Sequence, residues 1–333
     1  MSSPSKRAET HSLPDSEQFI AVEQGYRIWS RSLGGGAPRE RTPLLILHGG
    51  PGVPHDYLQN LAALASPVQR VIFYDQLGCG RSDRPDRPEL WQLPRFVTEV
   101  ATVRQALGLD QVVILGQSWG GMLAIEYALT QPPGLHGLIL SNSTPSAPLW
   151  GAETRRLRMQ LATEVRAVLD HHETAGSTDS AEYQAAMGDF YARHVIRLQP
   201  LPAEVQRSFD QIGQPYTVMW GPSEFCITGN LKHWDRTDRL AEIRIPTLLI
   251  SGEHDESTPT INQVMLAGLP DAEWTLLEGC SHLAHVEAPE RYLAAVEGFL
   301  PRITLRCSAC EPKAASREAS SASSASFGRD IGF

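Results

Sequence analysis

Short apolar runs, each bounded by turn residues, recur along the first half of the chain and again near its end. They read PLLIL, VIFYDQ, VVILGQS, GLILSNS and TLLIS, and segments with helical spacing separate the first four. Runs of this kind are typical of strands that are buried on both faces of a sheet. The alternation of strand and helix therefore predicts an α/β domain with a parallel sheet and right-handed crossovers.

The strand pattern is interrupted once, by a long stretch of amphipathic helical segments such as ETRRLRMQLATEVRAVL. We predict that residues 145–244 form a helical cap, inserted into a core made of residues 18–144 and 245–301. Residues 1–17 are polar and predict a flexible N-terminus. Residues 302–333 are rich in Ser and Ala, which is typical of a low-complexity tail.

Composition and charge narrow the classes of partner and cofactor. The 333 residues carry a formal net charge of -9, which argues against binding to nucleic acid. The N-terminal residues have no apolar signal region, and no apolar run approaches the length of a membrane span, so we expect a cytoplasmic protein. The five cysteines are scattered, and Cys307-x-x-Cys310 lacks a second ligand pair, so neither a disulfide framework nor a metal site is expected.

The strongest chemical signal is Gly116-Gln117-Ser118-Trp119-Gly120. A serine flanked in this way is held at a sharp turn between a strand and a helix, where its hydroxyl is exposed. The apolar run VVIL precedes the motif and the helical segment WGGMLAIEYALTQ follows it, which is the placement that this turn requires. The pattern indicates that Ser118 is a nucleophile.

A serine hydroxyl needs a histidine base, and the base needs a carboxylate to orient it. Asp255 follows the strand TLLIS, and His282 follows the predicted strand WTLLE. Both positions lie past the C-terminal ends of strands, in the chain order Ser, acid, His. We therefore select Asp255 and His282. Other candidates on the same two loops are His254, His285, Glu253 and Glu256.

An acyl-transfer site also needs donors for the oxyanion that develops on the attacked carbonyl. The backbone N–H of Trp119, directly after the nucleophile, is one expected donor. The second is expected from the HGGPG loop (residues 48–52), which follows the strand PLLIL. Glycines in this loop allow the backbone to approach a ligand closely. Asp75, at the end of the next strand, is predicted to bind loop amides near HGGPG.

The motifs HGGPG, DQLGCGRS, GQSWGG, GEHDE and GCSHLAHVEAPE together resemble the proline iminopeptidase family, including the related tricorn-interacting aminopeptidases and L-amino-acid amidases. The resemblance runs from about residue 18 to 300. It implies an α/β-hydrolase fold, with a mostly parallel sheet flanked by helices and an inserted helical cap. It also implies a triad of Ser118, Asp255 and His282, and an oxyanion hole formed by Trp119 and Gly50.

The same resemblance singles out two acids. Glu224 lies in GPSEF at the end of the predicted cap, and Glu256 directly follows Asp255. In the family, acids at these places hold the free α-ammonium group of the substrate. The resemblance thus implies a serine aminopeptidase or amidase that releases proline or another small or hydrophobic N-terminal residue from a peptide or amino-acid amide, without a cofactor.

Some alternatives remain open on the sequence alone. The same triad would serve an esterase, amidase or biosynthetic tailoring hydrolase that acts on a small metabolite without a free amine. A carboxylate nucleophile, as in epoxide hydrolases and dehalogenases, is disfavoured because Ser118 occupies the turn. Four aromatic residues could line a substrate pocket or pack in the core: Trp150, Tyr216, Trp220 and Phe225.

Overall fold

The computed structural model describes residues 13–310, with side chains described up to residue 303. Within these residues the chain forms one eight-stranded sheet with the order β1-β2-β4-β3-β5-β6-β7-β8. The pairs β1–β2 and β2–β4 are antiparallel, and the pairs from β4 to β8 are parallel. The strands are β1 (Asp15–Ala21), β2 (Arg27–Leu33), β3 (Leu44–Leu47), β4 (Val71–Tyr74), β5 (Val112–Gln117), β6 (Leu135–Ser141), β7 (Thr247–Gly252) and β8 (Ala272–Leu277).

Helices flank this sheet, as the sequence pattern predicts for an α/β domain. They are α1 (Leu93–Ala106), α2 (Trp119–Leu129), α3 (Ala147–Arg158), α4 (Thr163–Ala175), α5 (Ala181–His194), α6 (Ala203–Asp210), α7 (Pro259–Gly268), α8 (Ala284–Glu287) and α9 (Pro289–Cys310). Two longer 3-10 helices span His55–Leu64 and Thr237–Glu242, and a short π-helix spans Tyr216–Trp220. None of the helices in the described part of the chain is both long and apolar enough to cross a bilayer.

The central strands are short, buried and mostly apolar because helices cover both faces of the sheet. All residues of LLIL in β3 and VIFY in β4 are buried, as is every residue of β5. This is the continuous apolar pattern expected of parallel strands. The three strands lie side by side, so the loops that follow them emerge at one edge of the sheet.

The edge strand β1 begins at Asp15, within the residues predicted to be a flexible N-terminus. Its apolar and polar side chains do not alternate regularly, since nearly all of them are exposed to solvent. Antiparallel pairing with β2 holds it along its whole length, and two ion pairs add to this pairing: Asp15 pairs with Arg31, and Glu17 with Arg81. At the other end, α9 continues to Cys310, past the start predicted for the tail. Residues 1–12 and 311–333 lie outside the described residues.

Helices α3 to α6 lie between β6 and β7, where the sequence predicts a helical cap. Local signals define their ends: the side chain of Ser146 caps α3, that of Ser180 caps α5, and Gly176 ends α4 with φ 69°. The cap has a small apolar core of its own, formed by Leu157, Leu161, Leu169, Tyr183, Ala186, Phe190 and Phe225. It covers the edge of the sheet where β5, β7 and β8 end.

Candidate active site

Ser118 lies at the junction between β5 and α2, as the motif predicts. Its backbone has φ 55° and ψ -122°, a conformation that a residue with a side chain rarely adopts. Contacts to the neighbouring strand and its loop help to hold it: its N–H donates to the carbonyl of Ser141 at 2.9 Å, and its own carbonyl accepts from Ser143 Oγ at 2.8 Å. The strained turn presents the hydroxyl at the edge of the sheet beneath the cap.

Gly120, two residues after Ser118, permits the close approach of α2 to β3. A Cβ atom at this position would lie 2.1 Å from the carbonyl oxygen of Leu47 and 2.8 Å from that of His48. These neighbours are backbone atoms of the strand and of the loop that follows it, so they cannot turn away as a flexible side chain can. The glycine is therefore required by packing, independently of any chemistry at Ser118.

Replacing Gly120 with alanine is expected to lower the free energy of unfolding by about 3 kcal/mol, the upper end of the usual cost of overpacking. Gly188 in α5 provides a matched control, because a Cβ atom there would meet nothing within 4 Å. Gly188→Ala is expected to be neutral or stabilising by up to about 1 kcal/mol, as alanine favours a helix. Urea unfolding followed by circular dichroism measures both, and equal stabilities would contradict the packing argument.

The loops after β7 and β8 bring Asp255 and His282 together. Asp255 Oδ1 lies 2.8 Å from His282 Nδ1, and both side chains are buried. The same Oδ1 accepts from the N–H of Ser257 at 2.8 Å, while Oδ2 accepts from Asn142 Nδ2 at 2.6 Å. A carboxylate held by these donors fixes the imidazole with Nδ1 protonated and leaves Nε2 free to act as a base.

The competing histidines on these loops have different surroundings. His285 is fully buried, and its Nε2 lies 3.1 Å from the carbonyl oxygen of Tyr57. Burial lowers the pKa of His285 to about 3, so its ring stays neutral and donates to that carbonyl. His254 is partly exposed and lies 3.8 Å from Glu253. Neither ring has the buried carboxylate partner that His282 has.

Trp119 and Gly50 line the same narrow recess as Ser118, and each carries a backbone N–H group. Trp119 is the first residue of α2, so its N–H is among the donors that the helix leaves unpaired. Gly50 adopts φ 111°, which favours glycine, and lines the same cleft as Ser118 and Trp119. The arrangement can stabilise negative charge on an oxygen bound beside Ser118.

The side chains of Asp75 and Gln76 hold the loops around this cleft. Asp75 Oδ1 accepts from the N–H of His55 at 2.9 Å, and Oδ2 accepts from the N–H of Arg81 at 2.8 Å. Gln76 Nε2 donates to the carbonyl of His48 at 3.0 Å, and Trp119 Nε1 donates to Gln76 Oε1 at 2.9 Å. These residues therefore bind loop groups on both sides of the HGGPG turn.

Among the described residues, one buried cluster brings three possible metal ligands within 4.8 Å of one another: His48, Asp75 and Cys79. Their ligand atoms are already engaged, since His48 Nε2 accepts from the N–H of Gln76 and both oxygens of Asp75 accept loop amides. Burial raises the pKa of Cys79 well above its ordinary value, which keeps the thiol protonated. The cluster fits a structural hydrogen-bond network better than a metal ion.

Glu224 and Glu256 both lie beside His282, one contributed by the cap and one by the core. Glu256 Oε1 lies 3.8 Å from His282 Nε2, and Glu224 Oε1 accepts from the hydroxyl of Tyr216 at 2.7 Å. Glu256 is fully buried, and neither of its carboxylate oxygens has a hydrogen-bond partner among the described residues. The pair thus presents unpaired acceptor capacity next to the candidate triad.

Burial and mutual repulsion act on the two acids. Burial raises the pKa of Glu224, while the nearby His282 and the hydrogen bond from Tyr216 oppose this shift. Burial, followed by the charges of Glu224 and Asp255, raises the pKa of Glu256 well above its ordinary value. A cation bound between the carboxylates would relieve this repulsion and favour their ionised forms.

The cleft has two parts that share Ser118, Gly50 and Glu224. One is a narrow recess whose other lining residues are Trp119, Met122, Thr144, Trp150 and Trp220. The other is a cavity of about 390 Å³ that reaches the cap and the loop of His282. Its further lining residues include Val53, Tyr57, Met187, Tyr191, Val195, Phe209, Ile212, Tyr216 and Leu283.

The sequence does not assign four aromatic residues to the pocket or to the core, and in the structure three line the cleft and one packs in the core of the cap. Trp150 and Trp220 line the recess, and the ring of Trp150 meets that of His282 edge-on with centroids 5.6 Å apart. Tyr216 lines the larger cavity. Phe225 packs in the apolar core of the cap, with its ring 4.8 Å from that of Phe190.

Sequence reasoning missed the contacts that fasten the cap to the candidate triad. The N–H of His282 donates to the carbonyl of His194 at 3.1 Å, and the N–H of Leu283 donates to that of Val195 at 2.9 Å. It also missed Asn142, which binds Asp255. The run GLILSNS could have indicated Asn142, because this residue follows a strand that ends at the same edge of the sheet.

Comparisons with known proteins identify the fold and the family. Residues 42–289 match the family model of the alpha/beta hydrolase fold. The chain is 44% identical over 264 residues to a proline iminopeptidase of Heyndrickxia coagulans, covering 79% of this chain and 91% of that protein.

Two crystal structures are similar over most of the chain. That of a proline iminopeptidase from Mycobacterium smegmatis is 39% identical with a TM-score of 0.80, covering 88% of this chain and 100% of that one. That of VinJ is 37% identical with a TM-score of 0.83, covering 86% of this chain and 99% of that one. The predicted fold is therefore confirmed: the chain is an α/β hydrolase and belongs to the proline iminopeptidase family.

Proposed function

We propose that the protein is a serine aminopeptidase or amidase. It releases an N-terminal amino acid, proline or another small or hydrophobic residue, from a peptide or amino-acid amide through an acyl-enzyme. Its similarity to proteins named proline iminopeptidase supports this proposal, as do the placement of Ser118 and His282 on one cavity and the contact between His282 and Asp255.

The observation that carries the proposal is the pair of acids beside His282. A fully buried carboxylate without a partner is costly, and proteins seldom retain one without a use for it. Glu256 is such a group, and Glu224 lies near enough to raise its pKa. An α-ammonium group carries three donors and a positive charge, which match the acceptors and the charge that the two acids offer.

In the proposed first step, the substrate binds with its ammonium group between Glu224 and Glu256 and its first carbonyl group beside Ser118. His282 Nε2 accepts the proton of the Ser118 hydroxyl as the oxygen attacks the first carbonyl carbon. Asp255 stabilises the imidazolium that forms. The N–H groups of Trp119 and Gly50 would stabilise the oxyanion of the tetrahedral intermediate.

In the steps that follow, the intermediate collapses and the bond to the leaving amine breaks. The protonated His282 gives its proton to the amine nitrogen, and the rest of the substrate leaves through the larger cavity. His282 then activates a water molecule that attacks the acyl-enzyme, which releases the free amino acid and restores the Ser118 hydroxyl. No step requires a metal or an organic cofactor.

The two acids would also explain why such an enzyme removes one residue at a time. Because Glu256 is fully buried, an ammonium group bound between it and Glu224 would leave no room for an additional upstream residue. A substrate with a blocked amine would cover the two acids without supplying a cation, which is costly. The geometry thus favours exopeptidase over endopeptidase action.

We further propose that the protein acts in a reducing compartment, the cytoplasm. Cys79, Cys226 and Cys280 are free thiols in the structure, and free cysteines are typical of proteins in reducing compartments. The net charge of -9 favours a small cationic substrate over nucleic acid as a partner.

A substrate panel tests the proposed reaction. We expect hydrolysis of the p-nitroanilides of proline and alanine, and a loss of at least about 100-fold when their amines are acetylated, because a desolvated acid pair is left without its cation. The release of p-nitroaniline measures each rate. Equal cleavage of free and acetylated compounds, or cleavage of p-nitrophenyl butyrate alone, would instead indicate an esterase or a tailoring hydrolase that does not recognise an amine.

A further inference from the structure

The phenol of Tyr57 lies where three segments of the proposed catalytic site meet. Tyr57 is in the 3-10 helix that follows the HGGPG loop, and its side chain is only 2% exposed. Its hydroxyl accepts from the N–H of Gly49 at 2.7 Å and donates to Gln117 Oε1 at 2.5 Å. Gly49 precedes the proposed oxyanion donor Gly50, and Gln117 precedes Ser118.

We propose that Tyr57 is a positioning residue, whose hydroxyl fixes the oxyanion loop relative to the nucleophile so that the Gly50 N–H faces the reacting carbonyl. This inference rests on the proposed roles of Ser118 and Gly50. It adds a residue that acts through these two and does not itself transfer a proton or bind the oxyanion.

The packing around Gly49 shows how little freedom the loop has. A Cβ atom on Gly49 would lie 2.7 Å from Gln117 Oε1, 2.9 Å from the Tyr57 hydroxyl and 3.1 Å from Ser118 Cβ. The loop backbone thus lies close to both the phenol and the nucleophile, without space for a methyl group on Gly49. A shift of one member of this group moves the others.

The backbone of Tyr57 extends the connection to the cap and to the loop of the catalytic histidine. Its N–H donates to Ser208 Oγ in α6 at 3.0 Å, and its carbonyl accepts from His285 Nε2 at 3.1 Å. Gln117 Nε2 in turn donates to the carbonyl of His282 at 3.4 Å. One residue therefore connects the oxyanion loop, the nucleophile turn, the histidine loop and the cap.

The phenol is suited to a structural donor and acceptor role. Burial raises the pKa of Tyr57 far above its ordinary value, so the hydroxyl keeps its proton and can donate to Gln117 while accepting from Gly49. Preorganised donors are effective because they need no reorientation when charge develops, and a displacement of about 1 Å can cost on the order of 100-fold in rate.

The test is Tyr57→Phe, which removes one oxygen and keeps the ring. We expect kcat for p-nitrophenyl butyrate to fall by roughly 10- to 100-fold, since the oxyanion donor is displaced but not removed, while KM changes less than about twofold. This ester needs no free amine, so the failure of the amine-binding proposal would leave the test intact. Inhibition by butylboronic acid, which forms a tetrahedral adduct with serine, should weaken in parallel with kcat/KM.

Tyr127→Phe is the matched control. Tyr127 is also a buried tyrosine whose hydroxyl is hydrogen-bonded, accepting from Arg104 Nη1 at 2.8 Å, but it lies in the second half of α2, away from the cleft. We expect its kcat to stay within about twofold of the wild type. Thermal unfolding of both variants separates a loss of stability from a loss of alignment.

Gln117→Met provides a second variant if Tyr57→Phe fails to fold, because it removes the acceptor and keeps the phenol. It should reproduce the fall in kcat with little change in KM. The proposal is overturned if kcat of the folded Tyr57 variant stays within about threefold of wild type, if Tyr127→Phe loses as much, or if only KM changes.

Discussion

Replacing Ser118 with alanine should reduce kcat for every substrate by a factor on the order of 10⁵ to 10⁶, the usual loss when a serine nucleophile is removed. The Cβ atom that the strained turn already accommodates is retained, so the variant should fold and unfold at the wild-type temperature. Hydrolysis of prolyl p-nitroanilide and of p-nitrophenyl butyrate, together with circular dichroism, measures both properties.

Ser143→Ala is the control for this substitution. Ser143 is a buried neighbour whose hydroxyl donates to the carbonyl of Ser118, so it tests the loss of a nearby hydroxyl without the loss of the nucleophile. We expect a change in kcat of less than about tenfold. Residual activity of Ser118→Ala above roughly one per cent of wild type would remove Ser118 from its proposed role.

Replacing Glu224 or Glu256 with glutamine should impair only the recognition of the substrate's amine. We expect kcat/KM for prolyl p-nitroanilide to fall roughly 30- to 800-fold in Glu224→Gln and in Glu256→Gln. This corresponds to a loss of about 2–4 kcal/mol of transition-state binding. Glutamine keeps the shape of the side chain but removes the charge that attracts an ammonium group. Hydrolysis of p-nitrophenyl butyrate should change less than about threefold, because this substrate has no amine.

The ester measurement also guards against an indirect effect, since Glu256 Oε1 lies 3.8 Å from His282 Nε2. Glu253→Gln is the control for charge: Glu253 is two positions before Asp255 and its side chain is 49% exposed. Its activities should equal those of wild type. An equal fall for the ester and the p-nitroanilide would mean that the acids act on the histidine and do not bind an amine.

The sequence predicts the centre of this fold better than its edges. Runs such as LLIL and VIFY become buried strands because removing their apolar side chains from water is favourable. The start of β1, Asp15 to Gln18, has no such signal: its side chains are exposed, and pairing with β2 and ion pairs to Arg31 and Arg81 hold it. Partners so far along the chain leave no trace in the local pattern.

The candidate site likewise contains residues that the sequence predicts and residues that it does not. Ser118, Asp255 and His282 can be selected because each follows a strand, so the topology of the sheet brings them to one edge. The role of Tyr57 depends on a hydrogen bond to a residue 60 positions away, which no local pattern encodes. The sequence also gives no sign that Glu256 is buried, because glutamate is normally solvated.

The buried carboxyl groups of Glu224 and Glu256 have a consequence for the end of the catalytic cycle. The free amino acid that would be released carries the same ammonium group as the substrate and would fit between the same two acids. A ligand that binds the folded chain but not the unfolded one stabilises the fold. Product inhibition and a rise in unfolding temperature with added product would then have one common origin, the cation that the product supplies to two buried acids whose pKa values burial otherwise raises.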